Sequence, residues 1–274
     1  MNEIAEAFRG VLERSRAVKQ PGDYTQDGLL YCGNCRTPKQ CRISVGGKTC
    51  IVGCQCACRE RQYAAEQAAE RERQRMYAIE EMRAAGMADK AVRGYRFDVA
   101  DDSPEIRHCK AYFDHFEEAK QAGRGLILWG NTGNGKTFAA ACIANALVDK
   151  GIPAMVTSFP KILAANWQER ASIARQLNKY DLLVLDDLGA ERQSEYALET
   201  VYTVIDERYK SGLPLIVTTN LPLAKMQHPD NMDYQRIYDR VLEMCSPMCF
   251  RGASRRKKKA EENLDWLKGI VDEQ

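Results

Sequence analysis

The sequence predicts an α/β fold, in which a parallel β-sheet is flanked by helices and preceded by a small cysteine-rich module and a connector helix. Two observations lead to this fold class. Beyond about residue 95, short apolar runs alternate with helix-forming stretches, as in successive βαβ units. Polar residues directly follow several of these runs, at the carboxyl ends of strands where parallel sheets bind ligands.

The composition restricts the function classes that the chain can belong to. Its 274 residues are enough for a sizeable core, and 40 basic against 38 acidic residues give a net charge of +2. Such a balance creates no strong overall field, so any nucleic-acid contact requires a local basic patch. No apolar run reaches the ~18 residues of a membrane span, and the first residues, MNEIAEAFRG, lack an apolar signal core. We therefore expect a cytoplasmic protein without membrane contact.

Composition also divides the chain into four predicted zones. Residues 1–58 are short of apolar residues and contain seven of the 11 cysteines. Residues 59–94 are rich in Ala, Glu, Gln and Arg and contain no proline, which predicts a helical connector, or alternatively an exposed helix without a specific role. Residues 95–260 are predicted to form the α/β domain, and residues 261–274 a C-terminal tail.

Within the α/β domain, strands and helices are predicted in alternation. Strands are indicated by short apolar runs, and two of the helices end at glycines, Gly151 and Gly212, which favour helix C-termini. The segments follow in the order LILWG, FAAACIANALVDK, AMVTS, FPKILAANWQERASIARQLNK, LLVLDD, EYALETVYTVIDERYKSG and LPLIVTTN.

The stretch GNTGNGKT, residues 130–137, fits the phosphate-loop pattern G-x-x-x-x-G-K-[ST]. It follows a predicted strand and opens a predicted helix, so its backbone N–H groups can surround phosphate oxygens. Lys136 adds positive charge near the β and γ phosphates, and the Thr137 hydroxyl can coordinate Mg²⁺. We therefore predict bound ATP and Mg²⁺. The predicted nucleotide contacts are Gly130, Asn131, Thr132, Gly133, Asn134, Gly135, Lys136, Thr137 and Phe138.

Two adjacent carboxylates, Asp186 and Asp187, follow the apolar run LLVL. One carboxylate can hold the Mg²⁺ shell while a second orients or deprotonates an attacking water, which favours hydrolysis over a simple kinase reaction. An Asp that caps a helix is the alternative. Asn220 ends the run LIVTT, where its amide can position the water or contact the γ phosphate; a turn residue is the alternative.

Arginines near the C-terminus are further candidates for phosphate contacts. Arg236 and Arg240 are four residues apart on a predicted helix and so share one face. An arginine supplied to the γ phosphate of a neighbouring subunit would act as an arginine finger. The alternative is that both are ordinary surface residues.

The cysteines between residues 32 and 58 indicate a metal site, because clustered cysteines in a reducing compartment more often bind metal than form disulfides. A C-x2-C pair, Cys32 and Cys35, is followed by C-x-C-x-C. Four thiolates around Zn²⁺ would close a structural site whose binding energy replaces a missing core. We predict Cys32 and Cys35 with two of Cys54, Cys56 and Cys58 as ligands. The alternatives are reduced packing cysteines and a redox or iron–sulfur role. Cys41 and Cys50 are reserve candidates.

Several of these motifs together resemble one family. GNTGNGKT, LLVLDDLG, IVTTN, RIYDR and FRGASRR occur in the order and spacing of the bacterial and phage replicative-helicase loaders, the DnaC- and DnaI-like AAA+ ATPases, over about residues 95–257. The N-terminal YCGNCRTPKQC and CQCAC also resemble the zinc-bearing helicase-interaction region of some members. The resemblance implies a P-loop AAA+ sheet without a full C-terminal lid.

The resemblance also implies roles for single residues. Gly135, Lys136 and Thr137 would bind ATP and Mg²⁺, Asp186 would hold the metal, and Asp187 would be the catalytic acid. Asn220 would be the polar sensor and Arg240 the finger acting in trans.

Arg256 matches the sensor arginine of the family. Family members often have a tyrosine before that arginine, and this chain has Arg255, so either arginine can face the nucleotide.

A role in binding single-stranded DNA is implied for a helical insertion that corresponds to residues 161–179. Cationic and aromatic side chains there suit backbone tracking and base stacking, although an amphipathic helix with its tryptophan in the core is the alternative. The candidates are Lys161, Trp167, Arg170, Arg175 and Lys179. The run RRKKK at residues 255–259 can add phosphate contacts or form a solvated tail.

Taken together, these expectations describe an ATPase that loads the hexameric replicative DNA helicase onto single-stranded DNA. The zinc module would bind the helicase, and the AAA+ domain would bind ATP, DNA and neighbouring loaders. The alternatives are a transposition helper ATPase of the IstB type and a non-catalytic, nucleotide-bound zinc adaptor.

Overall fold

The computed structural model describes residues 17–45, 47–164, 172, 175–189, 195–229, 231–252 and 254–272. The chain forms two compact units, Met1–Met76 and Tyr77–Gln274. The zone boundaries expected after residues 58, 94 and 260 stay predictions.

The first unit contains two β-hairpins. Strand β1 (Tyr24–Gln26) pairs with β2 (Leu29–Tyr31), and β3 (Gln40–Val45) pairs with β4 (Lys48–Gly53), both antiparallel. The first hairpin turns through an Asp-Gly pair with φ angles of 50° and 73°, the left-handed conformation that a two-residue hairpin requires.

A 30-residue helix, α1 (Ala57–Gly86), follows the hairpins. In the second unit its last turns are fixed by Arg83, whose guanidinium is buried. Arg83 Nη1 donates a hydrogen bond of 2.6 Å to Asn145 Oδ1, and Nη2 donates to the carboxylate of Asp149. These contacts pair the buried guanidinium with an opposite charge and hold the last turns of α1 against the helix that contains Asn145 and Asp149.

The second unit is built on a five-stranded parallel sheet with the strand order β6-β7-β8-β5-β9, which confirms the predicted fold class. Its strands are β5 (Gly125–Trp129), β6 (Ala154–Ser158), β7 (Leu182–Leu188), β8 (Leu215–Thr219) and β9 (Cys245–Cys249). Both faces of the sheet are covered, because Leu126 and Leu128 of β5 belong to one buried apolar cluster and Ile127 between them belongs to another.

Helices of very different length surround this sheet. They are α2 (Lys90–Arg93), α3 (Pro104–Asp114), α4 (Phe116–Gln121), α5 (Lys136–Asp149), α6 (Phe159–Ala164), α7 (Glu195–Ser211), α8 (Leu223–Gln227), α9 (Met232–Met244) and α10 (Arg255–Asp272), with a 3₁₀ turn at Phe97–Val99. Across the described part of the chain, none of the helices has both the length and the apolar character that a membrane crossing needs.

Strand β9 is an element that the sequence analysis missed. Its sequence, CSPMC, has neither an apolar run nor strict alternation, and Pro247 disfavours a strand because it has no N–H group. Strand β9 lies at the edge of the sheet, where it pairs with β5 on one side. An edge strand has a side without a neighbouring strand, so the missing N–H of Pro247 costs little stability there.

Arg208, which is fully buried, connects the segments that directly precede strands β7 and β8. The Arg208 guanidinium donates hydrogen bonds to the carbonyl oxygens of Leu177, Tyr180, Asp181 and Pro214, at 2.6–3.4 Å. Burial lowers its pKa to about 10, so the group stays charged at neutral pH. Arg208 thereby fixes the segments that enter β7 and β8.

Arg208→Ala should destabilise the fold strongly, because four carbonyl oxygens would lose the hydrogen bonds that the buried guanidinium donates. We expect the free energy of unfolding to fall by about 3 kcal/mol or more, measured by denaturant titration. Arg107→Ala is the matched control, since the Arg107 guanidinium contacts the carboxylate and the carbonyl oxygen of Asp102 at the exposed surface; its change should stay below about 1 kcal/mol. Equal effects of the two variants would contradict this role of Arg208.

Candidate nucleotide site and cysteine cluster

The loop between β5 and α5 has the backbone of a phosphate-binding turn. Its glycines at positions 130, 133 and 135 have φ angles of 141°, 87° and 92°. A Cβ atom at Gly133 would lie 2.1 Å from Ser254 Oγ, so this position admits no side chain. The segment after β9 holds the loop from outside, because Arg255 N donates to the Gly133 carbonyl at 3.0 Å and Asn134 Nδ2 donates to the Phe250 carbonyl at 2.9 Å.

Lys136 joins the loop to the neighbouring strand β8. Its Nζ donates to the carbonyl oxygens of Gly130 and Asn131, each at 2.8 Å, and to Asn220 Oδ1 at 2.9 Å. Burial lowers the pKa of Lys136, while the two nearby aspartates oppose this shift. The structure therefore brings together Lys136 and Asn220, which are separated by 84 positions in the sequence.

Asp186 receives hydrogen bonds from two hydroxyl groups. Its Oδ1 accepts from Thr137 Oγ1 at 2.7 Å and from Thr218 Oγ1 at 2.6 Å. Thr137 belongs to the first turn of α5 and Thr218 to β8, so the carboxylate of β7 is held from both sides. A carboxylate and a hydroxyl at this distance form a suitable pair of oxygen ligands for Mg²⁺.

Asp187 has a strained backbone. It is a non-glycine residue with φ of 60°, and it lies where the β7–β8 pairing is irregular between Leu185 and Leu188. Its N–H donates to Thr218 Oγ1 at 3.0 Å, which holds this conformation. Such conformations concentrate at functional sites. Burial and the charge of Asp186 both raise the pKa of Asp187.

These elements surround a cavity of about 380 Å³. Four cations and one carboxylate are among the side chains that line it, which suits a ligand with several negative charges. The lining residues are Tyr95, Thr132, Gly133, Gly135, Lys136, Thr137, Phe138, Asp187, Asn220, Arg255, Arg256 and Lys259.

Both candidates for the sensor arginine line this cavity. Arg255 is already engaged, because its Nη2 forms an ion pair of 2.6 Å with Asp101 and its guanidinium lies 5.8 Å from the centre of the Phe138 ring. Arg256 lines the cavity from the next position and interacts electrostatically with Lys136 and Asp187.

Arg240 does not line the cavity of its own chain. Its Nη2 forms an ion pair of 2.8 Å with Asp206, and its guanidinium lies 4.7 Å from the ring centre of Tyr202 and 5.7 Å from that of Tyr209. These contacts fix the side chain between α7 and α9. An action in trans concerns a second chain and stays a prediction.

The proposed DNA-binding stretch is described only in part. Lys161, Arg175 and Lys179 are exposed. Trp167 and Arg170 lie outside the described residues.

Sequence reasoning missed three residues of the nucleotide site. Tyr95 comes from the segment before the sheet, and its ring lies 5.1 Å from that of Phe138. Lys259 belongs to the basic run at residues 255–259, and the sequence does not indicate which lysine of this run contacts the nucleotide site. Thr218 precedes Asn220 by two positions, and residues two apart on a strand share a face, so this periodicity was a usable signal.

In the first unit, the Sγ atoms of Cys32, Cys35, Cys56 and Cys58 all lie within 4.8 Å of one another. A zinc ion with four thiolates at ~2.3 Å needs Sγ atoms about 3.8 Å apart, so the set fits a tetrahedral site after small adjustments. Cys54, the remaining candidate, is outside this group because its Sγ faces the carbonyl of Pro38 at 3.4 Å.

Neighbouring groups favour the thiolate form of Cys32 and Cys35 and the thiol form of Cys58. The Thr37 side chain and backbone lower the pKa of Cys35 to about 5, and backbone N–H groups of the Cys32–Cys35 turn lower that of Cys32. Hydrogen bonds with the thiols of Cys56, Cys32 and Cys35 raise the pKa of Cys58 to about 12.

A carboxylate outside the cluster supports the turn that carries Cys32 and Cys35. Asp23 Oδ1 accepts from Gly33 N at 3.0 Å, and its Oδ2 forms an ion pair of 2.6 Å with Lys39. These bonds lower the pKa of Asp23 to about 2, chiefly through Lys39. Sequence reasoning missed Asp23 and Lys39, because 16 positions separate them and neither belongs to a motif.

The fold and the phosphate loop define an ATP-binding protein of the P-loop class. Residues 61–263 match the family described as IstB-like ATP binding protein, and the chain belongs to this family. The predicted P-loop fold, a parallel sheet flanked by helices, is confirmed.

Known relatives of this chain include helicase loaders. It is 27% identical to the replicative helicase loader DnaI of Bacillus subtilis (strain 168), over 58% of this chain and 56% of that protein. It is 23% identical to the replicative helicase loader DnaC of Escherichia coli (strain K12), over 54% of this chain and 60% of that protein. The chain thus spans less than two thirds of the length of these relatives. A crystal structure of DnaI superposes on 62% of this chain, with 95% of its own chain covered, a TM-score of 0.52 and 23% identity.

The cysteine geometry predicts about one zinc ion per chain, held by the four clustered thiolates. Cys56→Ser should remove the metal and lower the melting temperature of the first unit, because metal binding supplies folding energy. Cys54→Ser is the matched control and should retain the zinc, measured by elemental analysis of purified protein. Equal loss of zinc in both variants would contradict the assignment of the four ligands.

Proposed function

We propose that this chain is an ATPase that loads a hexameric replicative DNA helicase onto single-stranded DNA. The observation that carries the proposal is the convergence of Lys136 from the start of α5, Asp186 from β7 and Asn220 from the end of β8, in a chain similar to helicase loaders. Lysine, carboxylate and amide at this spacing are the groups that phosphoryl transfer requires.

ATP would bind with its phosphates in the loop between β5 and α5. Backbone N–H groups of the loop and the start of α5 would contact phosphate oxygens, and Lys136 would neutralise part of their charge. Thr137 and Asp186 would hold Mg²⁺, which when bound neutralises the phosphate charge that develops during transfer. Tyr95 provides an aromatic surface on the same cavity, suited to the base of the nucleotide.

Asp187 is suited to accept a proton from the attacking water. Its raised pKa makes it a stronger base than an ordinary carboxylate, and it remains ionised once the pH exceeds that raised value. Asn220 would orient the water through its amide. Arg256, or Arg255 after release from Asp101, would contact the γ phosphate.

Arg240 would complete the site of a neighbouring chain. Asp206 and Tyr202 hold its guanidinium in a fixed position on the surface of α9, which reduces the entropy lost when it reaches a phosphate. A loader with this property hydrolyses ATP only in an assembly of several chains.

The remaining roles concern partners. We propose that the cysteine module, with Zn²⁺ bound, contacts the helicase, and that the exposed cations Lys161, Arg175 and Lys179 contact single-stranded DNA. ATP would control assembly, and its hydrolysis would release the helicase onto DNA.

The family match favours a second candidate, a transposition helper ATPase of the IstB type, whose partner would be a transposase. A helicase loader and a transposition helper would share the same nucleotide chemistry. The protein that this chain binds, a helicase or a transposase, therefore distinguishes the two functions. Co-purification with a hexameric helicase supports loading, whereas co-purification with a transposase and not with helicase excludes it.

A non-catalytic adaptor is the alternative to any ATPase, and Asp187→Asn separates the two. This variant should retain ATP affinity but lose turnover by at least about 100-fold, because the water loses its base. Turnover is measured by phosphate release with helicase and single-stranded DNA present. Turnover that is negligible in the wild type, or unchanged in the variant, would exclude the ATPase mechanism.

Thr218→Val should lower turnover about 10- to 100-fold, because Asp186 loses one of its two hydroxyl donors and the Asp187 N–H loses its acceptor. Thr219→Val is the matched control. Thr219 is equally buried, but its hydroxyl bonds Leu188 and Leu221 and not the acids. The control should stay within about threefold of wild type, as judged by steady-state kinetics at saturating ATP. A similar loss in both variants would indicate a general packing effect instead.

A further inference from the structure

Helix α10 has an exposed apolar face in its second half. Leu264, Leu267 and Ile270 are 52%, 53% and 41% exposed, and Trp266 beside them is 69% exposed. The three aliphatic residues are spaced by three positions and so follow one side of the helix. Large apolar side chains grouped on one face in this way mark an interaction surface. We refer to Leu264, Trp266, Leu267 and Ile270 as the α10 face.

The charges of α10 are ordered against the helix dipole. Residues 255–259 are all basic, whereas Glu261, Glu262 and Asp265 follow, and neither an acid in the first turn nor a base in the last turn compensates. The N-terminus of a helix has a partial positive charge, so this order is unfavourable for an isolated helix. A partner that places acidic groups near the basic N-terminal end of α10 offsets this unfavourable interaction with the helix dipole.

A second copy of α10 in antiparallel orientation has the required charges. With a twofold axis between residues 265 and 266, Leu264 of one copy lies opposite Leu267 of the other, and the reverse contact follows by symmetry. In the same register Glu261 and the second copy's Lys268 are within about 3 Å along the helix axis, because each residue advances ~1.5 Å. Two leucine layers therefore lie between two pairs of opposite charges.

The parallel orientation is unfavourable by comparison. Parallel helices would place two runs of five basic residues side by side at a separation of about 8–10 Å. In the antiparallel register the centres of these runs are about 26 Å apart along the axis, well beyond the screening length of ~8 Å at physiological salt. Electrostatic repulsion thus selects the antiparallel pair.

The α10 face is separate from the nucleotide site. Arg255, Arg256 and Lys259 line the cavity from the first turns of α10, and the apolar residues begin at Leu264. Residues 61–263 match the family, so the face lies just beyond the part that the family shares. We propose that α10 is a dimerisation helix and that two copies of this chain associate through an antiparallel α10 pair. This association requires neither nucleotide nor the proposed helicase.

Sedimentation equilibrium without nucleotide tests the proposal directly. The wild-type chain, of 31.0 kDa, should approach twice that mass as its concentration rises. Leu264→Glu combined with Leu267→Glu should keep the protein at the mass of one chain. Val99→Glu, a change at another exposed apolar residue (71% exposed), should leave the dimer intact. Unchanged ATP affinity in all three proteins shows that the second unit remains folded.

Charge exchange tests the orientation. Glu261→Lys and Lys268→Glu should each weaken the dimer about tenfold, because two symmetry-related pairs change from attraction to repulsion. The double variant should return to within about threefold of the wild-type dissociation constant, since the pairs are restored with reversed sign. Glu117→Lys, at an exposed residue of α4 and therefore outside α10, is the control and should not weaken the dimer.

Three outcomes would overturn the proposal. One is a wild-type protein with the mass of a single chain at all concentrations. Another is a dimer that persists when both leucines are replaced by glutamate. The third is a double charge variant that is no tighter than the single ones. If the leucine variant lost binding to a helicase while the wild-type protein remained monomeric, the face would belong to that partner and the dimer proposal would fail.

Discussion

The geometry of the nucleotide site depends on the carboxylate of Asp186, which two hydroxyl groups hold from opposite sides. Thr137 reaches it from the first turn of α5, and Thr218 reaches it from β8. The same Thr218 hydroxyl accepts the N–H of Asp187 and stabilises its left-handed backbone. Three elements that are distant in the sequence thus share one hydrogen-bond network, and the sheet order β7-β8-β5 makes the network possible.

Basic and acidic side chains lie close together at this hydrogen-bond network. Lys136 and the cations at the start of α10 line the cavity together with Asp187, and Asp186 precedes Asp187 on β7. A polyanionic ligand neutralises the basic side chains, and a divalent cation bound with it neutralises the aspartates. Because α10 begins at the cavity and continues to an exposed apolar face, one helix connects the nucleotide site with the surface that we propose for dimerisation.

Much of this arrangement could be predicted because its signals are local. The phosphate loop and the apolar strands are contiguous in sequence, and the polar residues at strand ends follow from the geometry of parallel sheets. The spacing of Thr218 to Asn220 indicates the strand face of Thr218, but its bonds to Asp186 and Asp187 depend on which strands become neighbours. The ion pair of Lys39 with Asp23 likewise could not be predicted, because 16 positions separate the two residues. Strand β9 has no apolar pattern of its own, and Cys56 and Cys58 could be distinguished from Cys54 only once the path of the chain was known.

The central claim is that ATP with Mg²⁺ binds between the phosphate loop and the paired aspartates. Calorimetric titration of the purified chain with ATP tests it most directly, with and without Mg²⁺ and in parallel for Lys136→Ala. We predict Mg²⁺-dependent binding that Lys136→Ala weakens by about 100-fold or more, because the lysine is the buried cation nearest the loop. Absence of ATP binding by the wild-type chain in the presence of Mg²⁺, or equal affinity in the variant, would contradict the claim.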